Sequence, residues 1–132
     1  MTFAEIENAL GQRLSGMSGV PAIAWPNRKF TPGADPYLEF RHTPNGSFNP
    51  DTAGGVPYHI GLVLVTVVAP AGNFTTSANT LAQAVADRFP KGLRLTAGSG
   101  KVLINAPSSL ASPFQDGAYW RQPVRISYIT EG

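Results

Sequence analysis

The residues whose types and spacing could support chemistry are few. The stretch Gly98-Ser99-Gly100-Lys101 has the glycine and lysine that end a phosphate-binding loop. Two positions of that motif are missing, because Leu95 stands where its first glycine is needed and Val102 stands where a hydroxyl residue would hold magnesium. A tight turn between two short strands is therefore the better interpretation.

Metal chemistry would depend on His42 and His59, the only histidines of the chain. Neither has an acidic neighbour in the sequence, so a metal site requires that two strands bring both histidines and a carboxylate together. The chain has no cysteine, which excludes disulfides and thiolate ligands and is typical of proteins from a reducing compartment.

Hydrolytic and acid–base chemistry have no better support. The serines of the segment 108–112 lack the glycine pattern of a nucleophile elbow. Glu39, Asp51 and Asp116 form no pair that can be assigned as general acid and general base. We therefore expect no catalytic residue, no cofactor and no metal ion.

Three arginines, Arg41, Arg121 and Arg125, are the remaining polar candidates. They fall on the outward faces of predicted strands, where forked hydrogen bonds to carboxylates or phosphates could serve a protein or nucleic-acid contact. A solvated sheet face is the plainer alternative. There is no dense basic patch interleaved with aromatic residues, so direct nucleic-acid binding has weak support.

An apolar, β-branched run at residues 60–68 predicts the strand around which the rest is arranged. Both alternating sets of its side chains are apolar, so we expect this strand to be covered on both faces. The substitution Leu64→Asp is then expected to abolish soluble folding. The run is too short to cross a membrane, which takes about 20 apolar residues.

The other elements follow from spacing and turn signals. An N-terminal helix begins with the capping-box pattern of Thr2 and Glu5, and a second helix follows the central strand. Pro123 cannot donate to a ladder, so the last strand is predicted to be an edge near that point. The segment 107–117 is predicted to be irregular. Further strands are predicted at residues 20–25, 37–43, 92–96, 101–106 and 120–129.

The order α-β-β-β-α-β-β-β predicts an α+β fold in one domain over residues 1–132. We expect a mostly antiparallel mixed sheet with both helices packed on one face. Charged residues make up only 14% of the chain, which favours a subunit whose exterior is partly covered by neighbours. An ordinary small globular domain is the alternative. The N-terminus lacks the features of a signal peptide.

Residues 44–55 are rich in turn formers and join two strands that are predicted to pair. Hairpin loops usually have about 2 to 5 residues, so this longer loop is a candidate for function. Phe48 is its only large apolar side chain. Phe48 either folds back on its own domain or docks on a partner, and both interpretations stay open.

The ordered motifs of the chain resemble those of small tail terminator-like proteins from long-tailed bacteriophages, prophages and gene-transfer particles. The resemblance covers nearly the whole chain, although residues 41–58 have no clear counterpart. It is carried by Ile23-Ala24-Trp25-Pro26-Asn27, Phe30-Thr31-Pro32, Pro36-Tyr37-Leu38, residues 67–72, residues 81–92, Leu95-Thr96-Ala97-Gly98, Ala106-Pro107, Asp116-Gly117 and residues 119–124.

The resemblance implies a structural protein without a catalytic residue or cofactor. It implies a homohexameric ring on the head-proximal end of the tail tube, which stops tube polymerisation and provides the surface for head–tail joining. The implied partners are further copies of the chain, the major tail tube protein and a head-side connector or stopper protein. DNA is expected only to pass through the ring lumen. The implied location is the virion, after assembly in the bacterial cytoplasm, with no membrane association.

Two alternatives stay open. One is another ring component of the head–tail junction, and the other is a small monomeric ligand-binding or hydrolytic domain with a pocket near His42 and His59. Under the terminator interpretation, six residues are predicted to lie on interfaces, namely Arg41, Phe48, Asp51, His59, Arg121 and Arg125.

Overall fold

The computed structural model describes residues 2–26, 28–33, 35–48, 58–72 and 75–131, without the side chains of residues 48, 75 and 76. It contains two helices and eight strands in the described part of the chain. They are α1 (Phe3–Ser15), β1 (Ile23–Ala24), β2 (Tyr37–Phe48), β3 (Tyr58–Pro70), α2 (Thr75–Arg88), β4 (Arg94–Ala97), β5 (Gly100–Ile104), β6 (Ser109–Leu110), β7 (Phe114–Asp116) and β8 (Tyr119–Glu131).

The strands form one mixed sheet in the order β1-β2-β3-β8-β5-β4. All pairings are antiparallel except that of β1 with β2, and the short strands β6 and β7 pair with β8. The predicted α+β fold and element order are confirmed, with β6 and β7 added inside the segment that the sequence predicted to be irregular. These strands have only two and three residues, which is too short for a recognisable alternation of apolar and polar side chains.

The core lies between the two helices and one face of the sheet, which we call the inner face. Alternate residues of β3 and β8 point into it, and both helices contribute their apolar sides. The fully buried members include Leu10, Leu14, Val63, Val65, Val67, Val85, Phe89, Val124 and Ile126. Burying each such side chain contributes about 1.5–3 kcal/mol, so this layer supplies the main driving force for folding.

The start of α1 is held by the predicted capping box. The Glu5 backbone N–H donates to the Thr2 hydroxyl over 3.1 Å, and the Thr2 backbone N–H donates to the Glu5 carboxylate over 3.1 Å. Two backbone donors that a helix leaves unpaired at its start are thereby satisfied.

The opposite side of the sheet, which we call the outer face, is only partly covered. Leu62, Leu64 and Thr66 are half-buried there, whereas their neighbours on the inner face are fully buried. The prediction that the central strand is covered on both faces is wrong along most of its length, because both described helices pack into the inner core. Val68 is the exception, since it pairs with the buried Tyr37 at one end of the outer face.

The predicted loop at residues 44–55 begins later than expected, because β2 continues to Phe48 and pairs with β3 up to Tyr58. The register shifts between Pro44 and Gly46. Leu38 donates its N–H toward Ala22, on the side away from β3. Backbone groups alternate along a strand, so Pro44 also faces away from β3, where no described strand pairs with it and its missing N–H breaks no ladder bond.

Strand β8 is interior to the sheet, so the prediction of an edge strand near Pro123 is wrong. The carbonyl of Pro123 accepts a hydrogen bond from the Ala111 N–H over 3.0 Å. The side of Pro123 that lacks an N–H therefore faces the link between β6 and β7. Its ladder with β3 loses no bond, which explains how an interior strand tolerates proline.

Candidate functional site

The strand register aligns the side chains of the outer face in rows across β2, β3 and β8. One row joins Arg41, Leu64 and Arg125, and the next joins Glu39, Thr66 and Pro123. The face is therefore charged toward one end. At the other end it is apolar, with half-buried Ile60, Leu62, Leu103 and Ile129.

Arg41 and Arg125 are exposed on either side of the half-buried Leu64. Neither makes an ion pair with any residue in the described part of the chain. They lie on strands two apart, which puts their backbones roughly 10 Å from each other. The sequence prediction that both point outward is confirmed. With no carboxylate partner among the described residues, each guanidinium group could bind a carboxylate or a phosphate.

Arg121, by contrast, is held by two carboxylates. Its Nη1 donates to Glu39 over 2.6 Å and its Nε donates to Asp116 over 3.0 Å. The hydrogen bond with Glu39 is the main cause that raises the pKa of Arg121 above its usual value. Arg121 thus ties β2 and β7 to β8, and its membership of an interface stays a prediction.

A hollow of about 450 Å³ opens beside this cluster on the outer face. Phe114 of β7 stands at it with 49% of its surface exposed, a feature that the sequence analysis missed. A signal for the β7–β8 hairpin was present, because Asp116-Gly117 between aromatic residues is typical of a tight hairpin turn. The hollow is lined by Glu39, Arg41, Leu64, Thr66, Phe114, Asp116, Arg121 and Pro123.

The two histidines come together on the inner side, around the ring of Phe3. The Phe3 ring centre lies 6.3 Å from that of His42 and 4.8 Å from that of His59. Each histidine already has a hydrogen-bond partner: His42 Nε2 lies 2.6 Å from the Tyr128 hydroxyl, and His59 Nδ1 lies 2.6 Å from the Ser47 hydroxyl.

A metal site at these histidines has no support in the described residues, where no group of three or more histidines and carboxylates could hold an ion. His42 Nδ1 does approach the Glu7 carboxylate, at 3.4 Å. Burial nevertheless lowers the pKa of His42, which the Glu7 charge only partly offsets. Burial, with a smaller contribution from Glu7, raises the pKa of Tyr128 to about 12. Both groups are therefore neutral near neutral pH.

The His42 side chain is only 3% exposed, so the hydrolytic alternative finds no accessible general base there. A groove of about 520 Å³ does run past it, beside β1 and the open edge of β2. Aromatic and proline side chains make up much of its lining, including Trp25, Pro26 and Phe30. This groove offers a place for the monomeric ligand-binding alternative, although charged side chains such as Glu7, Arg28 and Glu39 also line it.

The remaining predicted interface residues are less defined. His59 is half-buried on the inner side of the sheet, near the start of α1. The backbone of Phe48 pairs with Tyr58 at the end of β2, and its side chain lies outside the described atoms. Asp51 lies outside the described residues. The proposed contacts of these three residues stay predictions.

The family model for phage tail terminator proteins matches residues 5–128. The chain belongs to that family. The match spans both helices, the whole sheet up to Tyr128, and both faces described above. A tail terminator has a structural role in a phage tail, so this chain is a virion component with tail-assembly partners, and its family is not normally catalytic.

Two solved structures share the fold. One, of a protein without a functional name, has a TM-score of 0.80 and 29% identity, and the match covers 100% of this chain and 97% of that one. The other belongs to the virion of a native gene transfer agent particle, with a TM-score of 0.70 and 17% identity over 99% of this chain and 100% of that one. No curated protein matches the chain.

None of the helices in the described residues is long and apolar enough to cross a membrane.

Proposed function

We propose that this tail terminator forms a ring on the head-proximal end of the tail tube, stops tube polymerisation and provides the surface for head–tail joining. Membership of the terminator family over residues 5–128 is the observation that carries the proposal. The ring is expected to be a homohexamer that assembles in the bacterial cytoplasm, with DNA passing through its lumen.

The outer face supports this proposal because the described residues cover it only partly. A ring needs one patch of each subunit to fit a different patch of the next, with a rotation that closes. An apolar end with Ile60 and Leu62 and a charged end with Arg41 and Arg125 give the outer face the mixed character of a protein contact. We assign it to contacts with a neighbouring subunit or with the tube.

A terminator must also prevent further growth. One side of its ring has to fit the end of the tube, while the other side must reject more tube protein. The exposed arginines could serve both the fit to the tube and the rejection of further tube protein. A wrong partner that places a positive charge against them, or buries them without a carboxylate, loses several kcal/mol of binding free energy.

Tube capping is the decisive experiment. The purified protein is added to polymerising tube subunits, and tube lengths are measured by electron microscopy. A terminator shortens tubes and appears at one end, whereas another ring component of the head–tail junction leaves the length distribution unchanged. Light scattering over a concentration series then tests for a species near six times the monomer mass.

The assignment of the outer face is tested separately with Arg41→Glu/Arg125→Glu. This double variant should fold normally, because both positions are exposed, and lose ring formation or capping, because two cations are replaced by anions. The matched control is Lys91→Glu/Lys101→Glu, which makes the same change in charge at exposed positions away from the charged end. Equal capping by both double variants would remove the outer face from the proposal and leave the terminator function standing.

A further inference from the structure

We infer that Arg13 and Arg88 form a binding site for a phosphate-type oxyanion at the place where the C-terminal ends of α1 and α2 meet. The inference is independent of the proposed terminator function. Each arginine lies in the last turn of its helix. The Nε of Arg13 donates to the Arg88 carbonyl over 2.9 Å, and the Nε of Arg88 donates to the Arg13 carbonyl over 2.8 Å.

This reciprocal arrangement fixes two like charges side by side. Both arginines are half-buried, and neither has a carboxylate within ion-pair distance among the described residues. The nearest acidic residue in sequence, Asp87, accepts a hydrogen bond from Gln83 instead. Burial and the charge of Arg88 lower the pKa of Arg13 below its usual value, which reflects the cost of holding the pair together.

The helix ends offset part of that cost. A helix C-terminus carries roughly half a negative charge, so two of them offset about one of the two positive charges. About one unit of positive charge remains without a partner in the described chain. A bound anion would be the missing partner of this positive charge.

Two neighbouring guanidinium groups suit a tetrahedral oxyanion better than a single carboxylate. Within the described residues these two guanidinium groups donate only through their Nε atoms, so their Nη donors have no hydrogen-bond partner there. One guanidinium fork satisfies both oxygens of a carboxylate, whereas a phosphate has oxygens for two forks at once. The phosphate can come from the free dianion or from a phosphodiester of nucleic acid.

Gly16 supplies a way to disturb the site without changing its charge. A Cβ at this position would lie 2.8 Å from an Nη atom of Arg88. Gly16 has φ of −80°, which alanine also adopts, so Gly16→Ala displaces the guanidinium and leaves the backbone in place. The substitution therefore tests whether the position of the Arg88 guanidinium group matters, while the group itself stays present.

The experiment follows the arginine Nε–H signals by NMR while inorganic phosphate is titrated in, with chloride at the same ionic strength as reference. We expect the Arg13 and Arg88 signals to shift in a saturable way. Gly16→Ala and Arg13→Gln should weaken binding by about tenfold or more, the loss expected for a hydrogen bond between charged groups. Arg94→Gln, which removes an exposed arginine elsewhere, should bind phosphate as the unchanged protein does.

A second arm uses a short DNA duplex. Competition between duplex and phosphate for the same two signals would identify a phosphodiester source, and binding of phosphate alone would identify the free ion. The inference is overturned if phosphate shifts these signals no more than chloride does. It is equally overturned if Arg94→Gln weakens binding as much as Arg13→Gln, because the effect would then report net charge alone.

Discussion

The inner and outer faces of the sheet share the same strands and meet different demands. On the inner face, fully buried Val65 and Ile126 pack under the helices, and the buried His42 is paired with Tyr128. On the outer face, Leu64 is half-buried and Arg125 is exposed without an ion pair in the described chain. Along one strand, residues that stabilise the fold therefore alternate with residues that are available to a partner. Substitutions on the two faces should have different effects on stability.

The largest expected effect comes from Val65→Asp compared with Leu64→Asp. An unpaired carboxylate at fully buried Val65 should cost more than about 4 kcal/mol and leave little folded protein. For Leu64→Asp the sequence alone predicted the loss of soluble folding, but half-buried Leu64 lets the carboxylate reach water. We now expect a loss of about 1 kcal/mol and a folded chain. Urea unfolding followed by circular dichroism measures both. Equal destabilisation would mean that the outer face is as closed as the inner one.

Gly61→Ala is the next strongest test of the inner face. The Tyr128 side chain lies so close to Gly61 that an added Cβ would overlap its hydroxyl and ring. Overpacking of this kind costs about 1–3 kcal/mol, because the His42 hydrogen bond must move with the ring. The matched control is Gly33→Ala, where an added Cβ would meet no described residue within 4 Å apart from its chain neighbours, so the melting temperature should stay the same or rise slightly.

A smaller effect is expected from pH. The lowered pKa of His42 means that the unfolded chain, with an ordinary pKa of about 6.5, takes up this proton first as pH falls. Stability from His42 is therefore complete above about pH 6.5 and declines below it until the folded pKa is reached. His42→Gln should flatten this part of the decline in free energies of unfolding measured at pH 7.5 and pH 5. An unchanged slope would assign the acid sensitivity to other groups.

The smallest effect distinguishes two arginines of the outer face itself. Arg121→Gln removes two partly exposed ion pairs and should cost about 1 kcal/mol or less. Arg125→Gln removes no ion pair in the described residues and should leave stability unchanged. Differential scanning calorimetry of the two variants tests whether Arg121 is a clamp within the subunit. A larger loss for Arg125→Gln would reverse the two assignments.

The inner face could be predicted from the sequence because the signals that define it, strand alternation and helix capping, are local. Alternation of apolar residues puts Val124, Ile126 and Tyr128 on one side of β8, and the capping-box pattern located the start of α1. The outer face could not, because the apolar character of Leu62 and Leu64 does not reveal what covers them. The prediction of an edge strand at Pro123 was wrong for a similar reason. An interior strand tolerates this proline because its side without an N–H faces Ala111, which belongs to another segment.

The candidate site was predicted only in part. Outward positions for Arg41 and Arg125 follow from strand alternation alone. The pairing of His42 with Tyr128 joins residues 86 positions apart, and that of Arg13 with Arg88 joins residues 75 apart. No local pattern predicts such contacts, because the first depends on the order of the strands in the sheet and the second on how the two helices meet.

The proline and register shift in β2 have a consequence for the behaviour of free subunits. An open strand edge is a template to which the backbone of another chain can add. At Pro44 the edge offers no N–H, and the shift that follows breaks the regular spacing that a second strand would need. The addition of another chain's strand along this edge is therefore disfavoured, and a partner has to be recognised through side chains. Free subunits are therefore less prone to aggregate through this edge before they meet a partner.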